Sequence, residues 1–397
     1  MSTENDSNFT SNVAVKIEKL AIGGAGVARH DGLVIFVPNA APGDELLVKI
    51  TSKKKNFAEA QIVQILTPGP ARRAAPCPIA DRCGGCNWQH ISEEEQRHQK
   101  DLVVRETLAK FLPGMELPFL PLKESPLTLR YRNRIQPKYH RGHFGFFARR
   151  SHEIVEAKDC PITEEKLTAE FAKVKSELDK KFRDAKETQR IEMYLDQNET
   201  PQWLLMGEEK EGIGFSQVNR FQNEDLIKTV LQWSEGAEYS RVFDMYAGSG
   251  NFTFPLAEKY RAQKIIAAEL DSKLVQKAQE KIQASGSLNK RVQYYISDVA
   301  LFLKRTRLEN QDLVVLDPPR AGADEFVMKA LAHASVQKII YISCHPVSLA
   351  RDLKYFFETQ AQLPGERKLK LQKIQCFEMF PQTDHVETIA ELAVDTR

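Results

Sequence analysis

From about residue 12 to residue 66, apolar and polar positions alternate with period two or gather in short apolar runs. VAVKIEKL alternates, LVIFV is a buried run, and ELLVKI and FAEAQIVQIL follow; Gly23, Gly24, Gly26, Gly32 and Gly43 punctuate them. Period two places alternate side chains on opposite faces of a strand, and glycine marks the turns between strands. The expectation is a small five-stranded barrel of the OB type. The proline-rich seam TPGPARRAAPCP closes it. Ser92 followed by Glu93–Glu95, with Ile91 before it, is a capping box with a hydrophobic staple and predicts a helix to about Phe111. After a second proline-rich linker (112–126), the stretch LRYRNRIQPKYHRGHFGFFARRSHEIVEA reads as strands with arginines and aromatics interleaved. Arg130, Arg132 and Arg134 share one face at period two, and Tyr131, Tyr139, Phe144 and Phe146 are candidates for stacking on bases. Leu167, Phe171, Val174, Leu178 and Phe182 recur at helical spacing.

From Asn223 onward the pattern becomes alternating helix and strand. NEDLIKTVLQW and TFPLAEKY read as helices, and RVFDMY, KIIAAEL, VQYYIS, DLVVLD and KIIYIS as strands. Such alternation predicts a parallel sheet with helices on both faces. Three segments result: 1–70, 71–215 and 216–397.

Composition narrows the partners. The 397 residues carry 56 basic and 54 acidic side chains, a net charge of +2, so nucleic-acid binding must come from local patches rather than bulk charge. The lysine run Lys53–Lys55 is one such patch, although a run of this kind is also an ordinary solvated turn. No apolar run approaches a membrane span, and MSTENDSNFTSN lacks the basic and apolar regions of a secretory signal, so the cytoplasm is expected. In that compartment six cysteines point to metal and catalytic roles rather than disulfides.

Cys77, Cys83 and Cys86 crowd into CPIADRCGGC and Cys160 follows in KDCPI. Four thiolates suit zinc or an iron–sulfur cluster. Structural zinc sites come as two close pairs, which the solitary Cys160 breaks, so a [4Fe–4S] cluster is expected. Cys376, inside IQCFEMF, reads as a small buried hydrophobe.

Asp244–Phe252 (DMYAGSGNF) follows a strand and opens a helix, with glycines that let the backbone approach a ligand. Glu269 ends the next strand, where an acid binds a ribose diol; Asp298 and Asp317 end the following two. The loop lacks the third glycine of a dinucleotide fingerprint. Any one of these acids is readable as a strand-ending turn residue; four in register mark a crevice. Asp317-Pro318-Pro319-Arg320 has the shape of a motif in enzymes that methylate planar nitrogen, with Arg320 where an aromatic residue is usual, so amine methylation stays as an alternative. Cys344 in YISCHPVSLARDL separates the two. Carbon 5 of uracil becomes nucleophilic only after addition at carbon 6, for which a thiolate is suited. A base must then remove the carbon-5 proton. Glu387, in MFPQTDHVETIAEL, is the first candidate, with His385 and Asp384 competing.

Together these residues resemble the RNA (uracil-5-)-methyltransferase family, above all its bacterial 23S rRNA branch, over nearly the whole chain. The resemblance implies an N-terminal TRAM domain of OB shape, a central α+β iron–sulfur domain and a class I, Rossmann-like α/β methyltransferase domain that uses S-adenosylmethionine. It implies cluster ligands at Cys77, Cys83, Cys86 and Cys160, a nucleophile at Cys344 and a base at Glu387. Donor contacts fall on Gln217 (in Phe215-Ser216-Gln217-Val218-Asn219), Tyr246, Asn251, Glu269, Asp298 and Asp317. Two departures stand out: His345 follows the nucleophile where the family usually has Asn, and the glycine loop reads Tyr-Ala-Gly-Ser-Gly. The implied enzyme is a cytoplasmic monomer that methylates carbon 5 of a flipped-out uridine in 23S rRNA, with RNA and not DNA as partner. A tRNA substrate, or a cluster-bearing RNA-binding protein with an inert catalytic domain, are the competing readings.

Overall fold

The computed structural model describes residues 12–207, 217–334, 336–365 and 368–394. Its strands fall into three sheets. The first contains β1 (Asn12–Lys16), β2 (Lys19–Leu20), β3 (Gly26–His30), β4 (Leu33–Val37), β5 (Glu45–Lys53) and β6 (Phe57–Thr67), in the order β1-β5-β6-β4-β3-β2. The expected five strands are six, because the chain breaks at Ile17–Glu18 and resumes as the two-residue β2. Val15, Ile17, Ala28, Ile35, Val37, Leu46 and Val48 fill its core. Lys53–Lys55 sit at the exposed β5–β6 turn.

α1 (Glu93–Phe111) starts where the capping box placed it, with the Ser92 hydroxyl accepting from Glu95 N at 3.4 Å. Its buried stripe begins with polar residues, Gln96, Gln99 and Lys100, and ends in Val104 and Leu108. The apolar end joins the core of the C-terminal sheet.

The central sheet contains β7 (Arg134–Ile135), β8 (Lys138–His140), β9 (His143–Phe147), β10 (Ile154–Glu156), β11 (Gln189–Leu195) and β12 (Pro201–Leu205), in the order β10-β9-β8-β11-β12 with β7 also on β11. The expected single helix is two, α2 (Glu165–Thr168) and α3 (Phe171–Phe182), separated by Ala169 and by Glu170, the N-cap of the second. Leu167, Phe171, Val174 and Leu178 are buried across that break.

The shared arginine face does not form. Arg130 lies outside any strand at φ +54° and pairs with Asp159 at 2.8 Å, Arg132 makes isolated bridges, and Arg134 pairs with Glu192. Three of the four proposed stacking aromatics are core. Tyr131 and Tyr139 are fully buried, with hydroxyls donating to Pro381 O (3.0 Å) and Asp179 (2.7 Å), and Phe144 is also buried. Their large apolar surfaces and single polar tips are satisfied inside, so Phe146 alone stays partly accessible.

The third sheet follows α4 (Arg220–Trp233). It runs β13 (Arg241–Met245), α5 (Thr253–Lys259), β14 (Lys264–Glu269), α6 (Ser272–Ser285), β15 (Val292–Ile296), α7 (Val299–Arg305), β16 (Asp312–Leu316), α8 (Glu325–Ala334), β17 (Lys338–Ser343), α9 (Pro346–Gln362), β18 (Leu369–Phe377) and β19 (Glu387–Val394). The order is β15-β14-β13-β16-β17-β19-β18; β13 to β17 pair in parallel, while β19 runs antiparallel to both neighbours. Every residue of β16 and β17 is buried, as a sheet covered on both faces requires. The chain departs from β13 in both directions, so a crevice opens at the carboxyl ends of the strands there. The sequence reading did not foresee the final antiparallel hairpin. Cys376 is fully buried within it.

Candidate active site

The glycine loop leaves β13 through a left-handed Tyr246 (φ +61°), followed by Gly248 (φ +54°) and Gly250 (φ +99°). A Cβ added at Gly248 would meet nothing within 4 Å, so the loop borders open space there. Gly248 N donates to one Glu269 carboxylate oxygen at 2.9 Å, and Asp271 N donates to the other at 2.9 Å. Glu269 thus ties the loop to the end of β14. Asn251 exchanges side-chain hydrogen bonds with Asn223 (2.9 and 3.0 Å), pinning α4 to the loop. Asp298 is exposed and caps α7, accepting from Leu301 N at 3.1 Å. It is close enough to Tyr246 that, after burial, its charge is the next factor holding the phenol protonated. Gln217 lies partly exposed just before α4. Phe215 and Ser216 lie outside the described residues.

Next along the crevice, Asp317, Cys344 and Glu387 come together. Asp317 follows β16, with its N–H on Met245 O at 3.3 Å. Cys344 follows β17, and Glu387 opens β19. The β17–β19 ladder ends at Ser343↔Thr388, so Cys344 and Glu387 extend it by one position. Burial raises the Cys344 thiol to about 12, reinforced by the charges of Glu387 and Asp317 and opposed by Arg320. Burial, then Asp244, raises the Asp317 carboxyl to about 7. Burial, then Asp317, holds Glu387 well above the usual carboxylate range. Asp244 itself is fully buried and raised to about 7, accepting a hydrogen bond from the Thr253 hydroxyl. Two acids this close share protons rather than ionise together.

The cavity beside Cys344 measures only about 20 Å³ and is lined by Ile22, Trp88, Arg320, His345 and His385, among others. That is room for a water molecule. His385 faces the cavity and its ring meets Phe380 edge-on; burial lowers its pKa. Asp384 accepts from Gly23 N (2.9 Å) and Asn87 Nδ2 (2.8 Å), and its own N–H donates to Asn87 Oδ1 at 3.0 Å. Its carboxylate is a clasp between the barrel loop and the cysteine-rich segment. His345 is the N-cap of α9: its Nδ1 accepts from Ser348 N at 3.4 Å and lies 3.1 Å from the Ser348 hydroxyl, with Pro346 opening the helix. Asparagine favours the same role, which gives the substitution a structural account.

Several residues of the site were not anticipated. The loop between β18 and β19 is held from four sides. Trp88 N donates to Gln382 O (3.1 Å), Gln96 Oε1 accepts from Gln382 N (2.8 Å), Lys100 Nζ donates to Phe380 O (3.0 Å), and Asn219 Nδ2 donates to Met379 O (3.1 Å). Gln382 adopts φ +69° within this grip. The one available signal was Gln96, Gln99 and Lys100 on a single face of an otherwise ordinary helix. Gly24 permits the close approach: a Cβ there would stand 2.2 Å from Asn87 Nδ2.

Cys77, Cys83, Cys86 and Cys160 line one cavity of about 180 Å³. All are free thiols. Burial raises Cys77, Cys83 and Cys86, Cys86 to about 12, and each is raised further by the neighbouring cysteines. Arg149 donates to the carbonyls of Ala80 (3.1 Å), Cys83 (3.2 Å) and Cys86 (2.6 Å), fixing the loop. Among the described residues no group of three or more His, Cys, Asp or Glu side chains is placed to hold a metal ion.

The C-terminal sheet, its switch-point crevice and its antiparallel last strand define a Rossmann-like methyltransferase fold. The chain superposes on the Pyrococcus abyssi tRNA (uracil-54, C5)-methyltransferase, solved with S-adenosyl-L-homocysteine, with a TM-score of 0.72 at 21% identity, covering 96% of this chain and all of that one. Residues 205–393 match the tRNA (Uracil-5-)-methyltransferase family and residues 11–63 the TRAM domain. An RNA methyltransferase of Bdellovibrio bacteriovorus is 58% identical over 97% of this chain and 96% of its own. The 23S rRNA (uracil(1939)-C(5))-methyltransferase RlmD of Vibrio parahaemolyticus is 28% identical over 96% of each. The chain belongs to the RNA (uracil-5-)-methyltransferase family. Among the described residues no helix is long and apolar enough to cross a membrane.

Proposed function

We propose that the protein transfers a methyl group from S-adenosylmethionine to carbon 5 of a uridine in 23S rRNA, through a covalent Cys344 adduct at carbon 6. The observation that carries this reading is the junction of Cys344 with Asp317 and Glu387 at the ends of three adjacent strands. The donor, when bound, supplies an electrophilic methyl group. Glu269, Tyr246, Asn251, Gln217, Asp298 and Asp317 are the residues assigned to hold it, and the open space at Gly248 fits a ligand lying against the loop.

The resting thiol is protonated, so it needs a base when it adds. The Asp317–Glu387 pair holds a proton near neutrality, leaving one carboxylate to take the thiol proton as Sγ bonds to carbon 6. That proton passes to solvent, which balances the positive charge the donor loses. Carbon 5 takes the methyl group, Glu387 then removes the carbon-5 proton, the Sγ–C6 bond breaks, and the thiolate is reprotonated. Because the cavity at Cys344 has room only for water, the uracil ring enters by displacing side chains at its mouth, among them Ile22 and His385.

The four cysteines are assigned a [4Fe–4S] cluster, which would staple the cysteine loop to the central sheet; the cavity that all four line is what supports it. The 23S rRNA substrate rests on the RlmD relatives, which match nearly end to end. A cytoplasmic monomer completes the reading. The test combines 5-fluorouridine RNA, whose fluorine is not removed as a proton, with S-adenosylmethionine. Wild type should form a stable protein–RNA adduct and make 5-methyluridine in ordinary rRNA, and Cys344→Ala should do neither while still binding the donor. Methylation persisting in Cys344→Ala would end the covalent mechanism and favour amine methylation.

A further inference from the structure

The buried stripe of α1 contains one charged residue, Lys100, which has no part in the chemistry above. Lys100 is fully buried. Its Nζ donates to Phe380 O at 3.0 Å and lies 3.9 Å from Glu378 Oε1, between a carbonyl and a carboxylate of the loop that leads to Glu387. Glu378 is also fully buried. Its Oε2 accepts from Arg97 Nε at 2.9 Å and from Ser125 N at 3.2 Å, while its Oε1 has no hydrogen-bond partner among the described residues. We propose that Lys100 is a positioning residue for the reaction: through the Phe380 carbonyl it sets the path of residues 378–386 and so fixes the Glu387 carboxyl beside Cys344. The inference rests on the reading of Glu387 as the base and names what holds that base in place.

A buried ion pair is a poor source of stability, because apolar side chains of similar volume pack as well without the cost of desolvation. What Lys100 supplies is a fixed place, and three observations support that role. First, its grip is relayed toward the base. Thr383 Oγ1 donates to the same Phe380 carbonyl at 2.8 Å, and His385 N donates to Thr383 Oγ1 at 3.3 Å, two residues before Glu387. The Phe380 ring also meets the His385 ring edge-on at 5.8 Å. Second, the path needs holding. Gln382 sits at φ +69°, which side chains other than glycine's rarely adopt, so the loop keeps this course only while its anchors hold. Third, the anchor is firm. Val104 and Leu108 seat α1 in the core of the C-terminal sheet, and Arg97 ties it to Glu378 and, at 3.2 Å, to Glu124. Burial lowers the Lys100 pKa to about 8, with Arg97 adding to the fall and Glu378 and Asp384 opposing it, so the group is an ammonium ion at neutral pH. A base works only within reach of the proton it removes, and a displacement of about 1 Å costs on the order of a hundredfold in rate.

The test uses the full-length protein with S-adenosylmethionine and ribosomal RNA. Lys100→Met keeps an unbranched side chain and removes the charge and the donor. If that variant does not fold, Lys100→Met combined with Glu378→Gln removes the opposing charge as well and carries the test. In the folded variant kcat for 5-methyluridine formation should fall roughly tenfold, with KM for the donor and for RNA unchanged. A methylated protein–RNA complex should accumulate during turnover, as intact mass would show, because release is the step that uses Glu387. A folded variant with the wild-type kcat, one whose loss falls on KM, or one that loses kcat with no complex accumulating would each overturn the proposal. Formation of 5-methyluridine by the wild type and accumulation of the same complex by Glu387→Gln, measured alongside, tell that failure from failure of the methyltransferase reading.

Discussion

Glu387 shows how one carboxylate is prepared by its surroundings. It is 2% exposed and faces a second acid, so its ionised form is disfavoured until a proton has somewhere to go. Glu387→Gln should allow addition and methyl transfer but stall release, so a methylated protein–RNA complex accumulates. Intact-mass measurement of the complex checks this, and normal turnover would move the role to His385 or water. At His345 the chemistry is conformational: the imidazole caps α9. His345→Ala should destabilise the protein by about 1 kcal/mol, the usual worth of an N-cap, and His345→Asn should restore the melting temperature. Equal melting temperatures in the alanine and asparagine variants would rule the cap out. Glu387 was already the first candidate base in the sequence, whereas the capping role of His345 was not readable from residue type, since the histidine stands beside a thiol.

At the level of elements, β13 carries a buried acid that a sheet interior would ordinarily exclude. Asp244 keeps its proton up to about pH 7 in the folded protein, whereas an unfolded aspartate loses it near 3.8. The native state therefore binds more protons between those values. Asp244's contribution to stability is fully present below about pH 4 and is lost as pH rises through about 7. The slope approaches about 1.4 kcal/mol per pH unit for one such group. Asp244→Asn should remove its share of that fall, leaving the part due to Asp317, as thermal melts from pH 5 to pH 8 would register. A mutant whose melting curve tracks wild type at every pH would refute the buried-proton account. Strands β13 to β17 and helix α1 were legible because period, capping box and turn residues are local signals. The β18–β19 hairpin was not, since its apolar runs do not declare the direction in which they pair.

Across the whole molecule, the loop before Glu387 is where the parts meet. Gly23 of the barrel, Asn87 and Trp88 beside the cysteines, Lys100 of α1 and Tyr131 all hold residues 380–384. The cysteine loop is thereby coupled to the catalytic crevice through Cys86-Asn87-Trp88. Protein purified without oxygen should carry about four irons. Cys83→Ser should lose them and speed amide exchange in the 380–386 loop, and Asn87→Ala should speed that exchange with the iron retained. Unchanged exchange in both would break the coupling. The sequence by itself determined the strand and helix alternation, the glycine loop, the set of four cysteines and the single candidate nucleophile, because each depends on spacing within a few residues. Only the tertiary structure decided that Asp384 is a clasp, that the arginine-rich stretch turns its aromatics inward, and that Glu387 returns beside Cys344. Those outcomes depend on pairing polar groups across as many as 361 positions of chain, and no local pattern encodes which partner each will find.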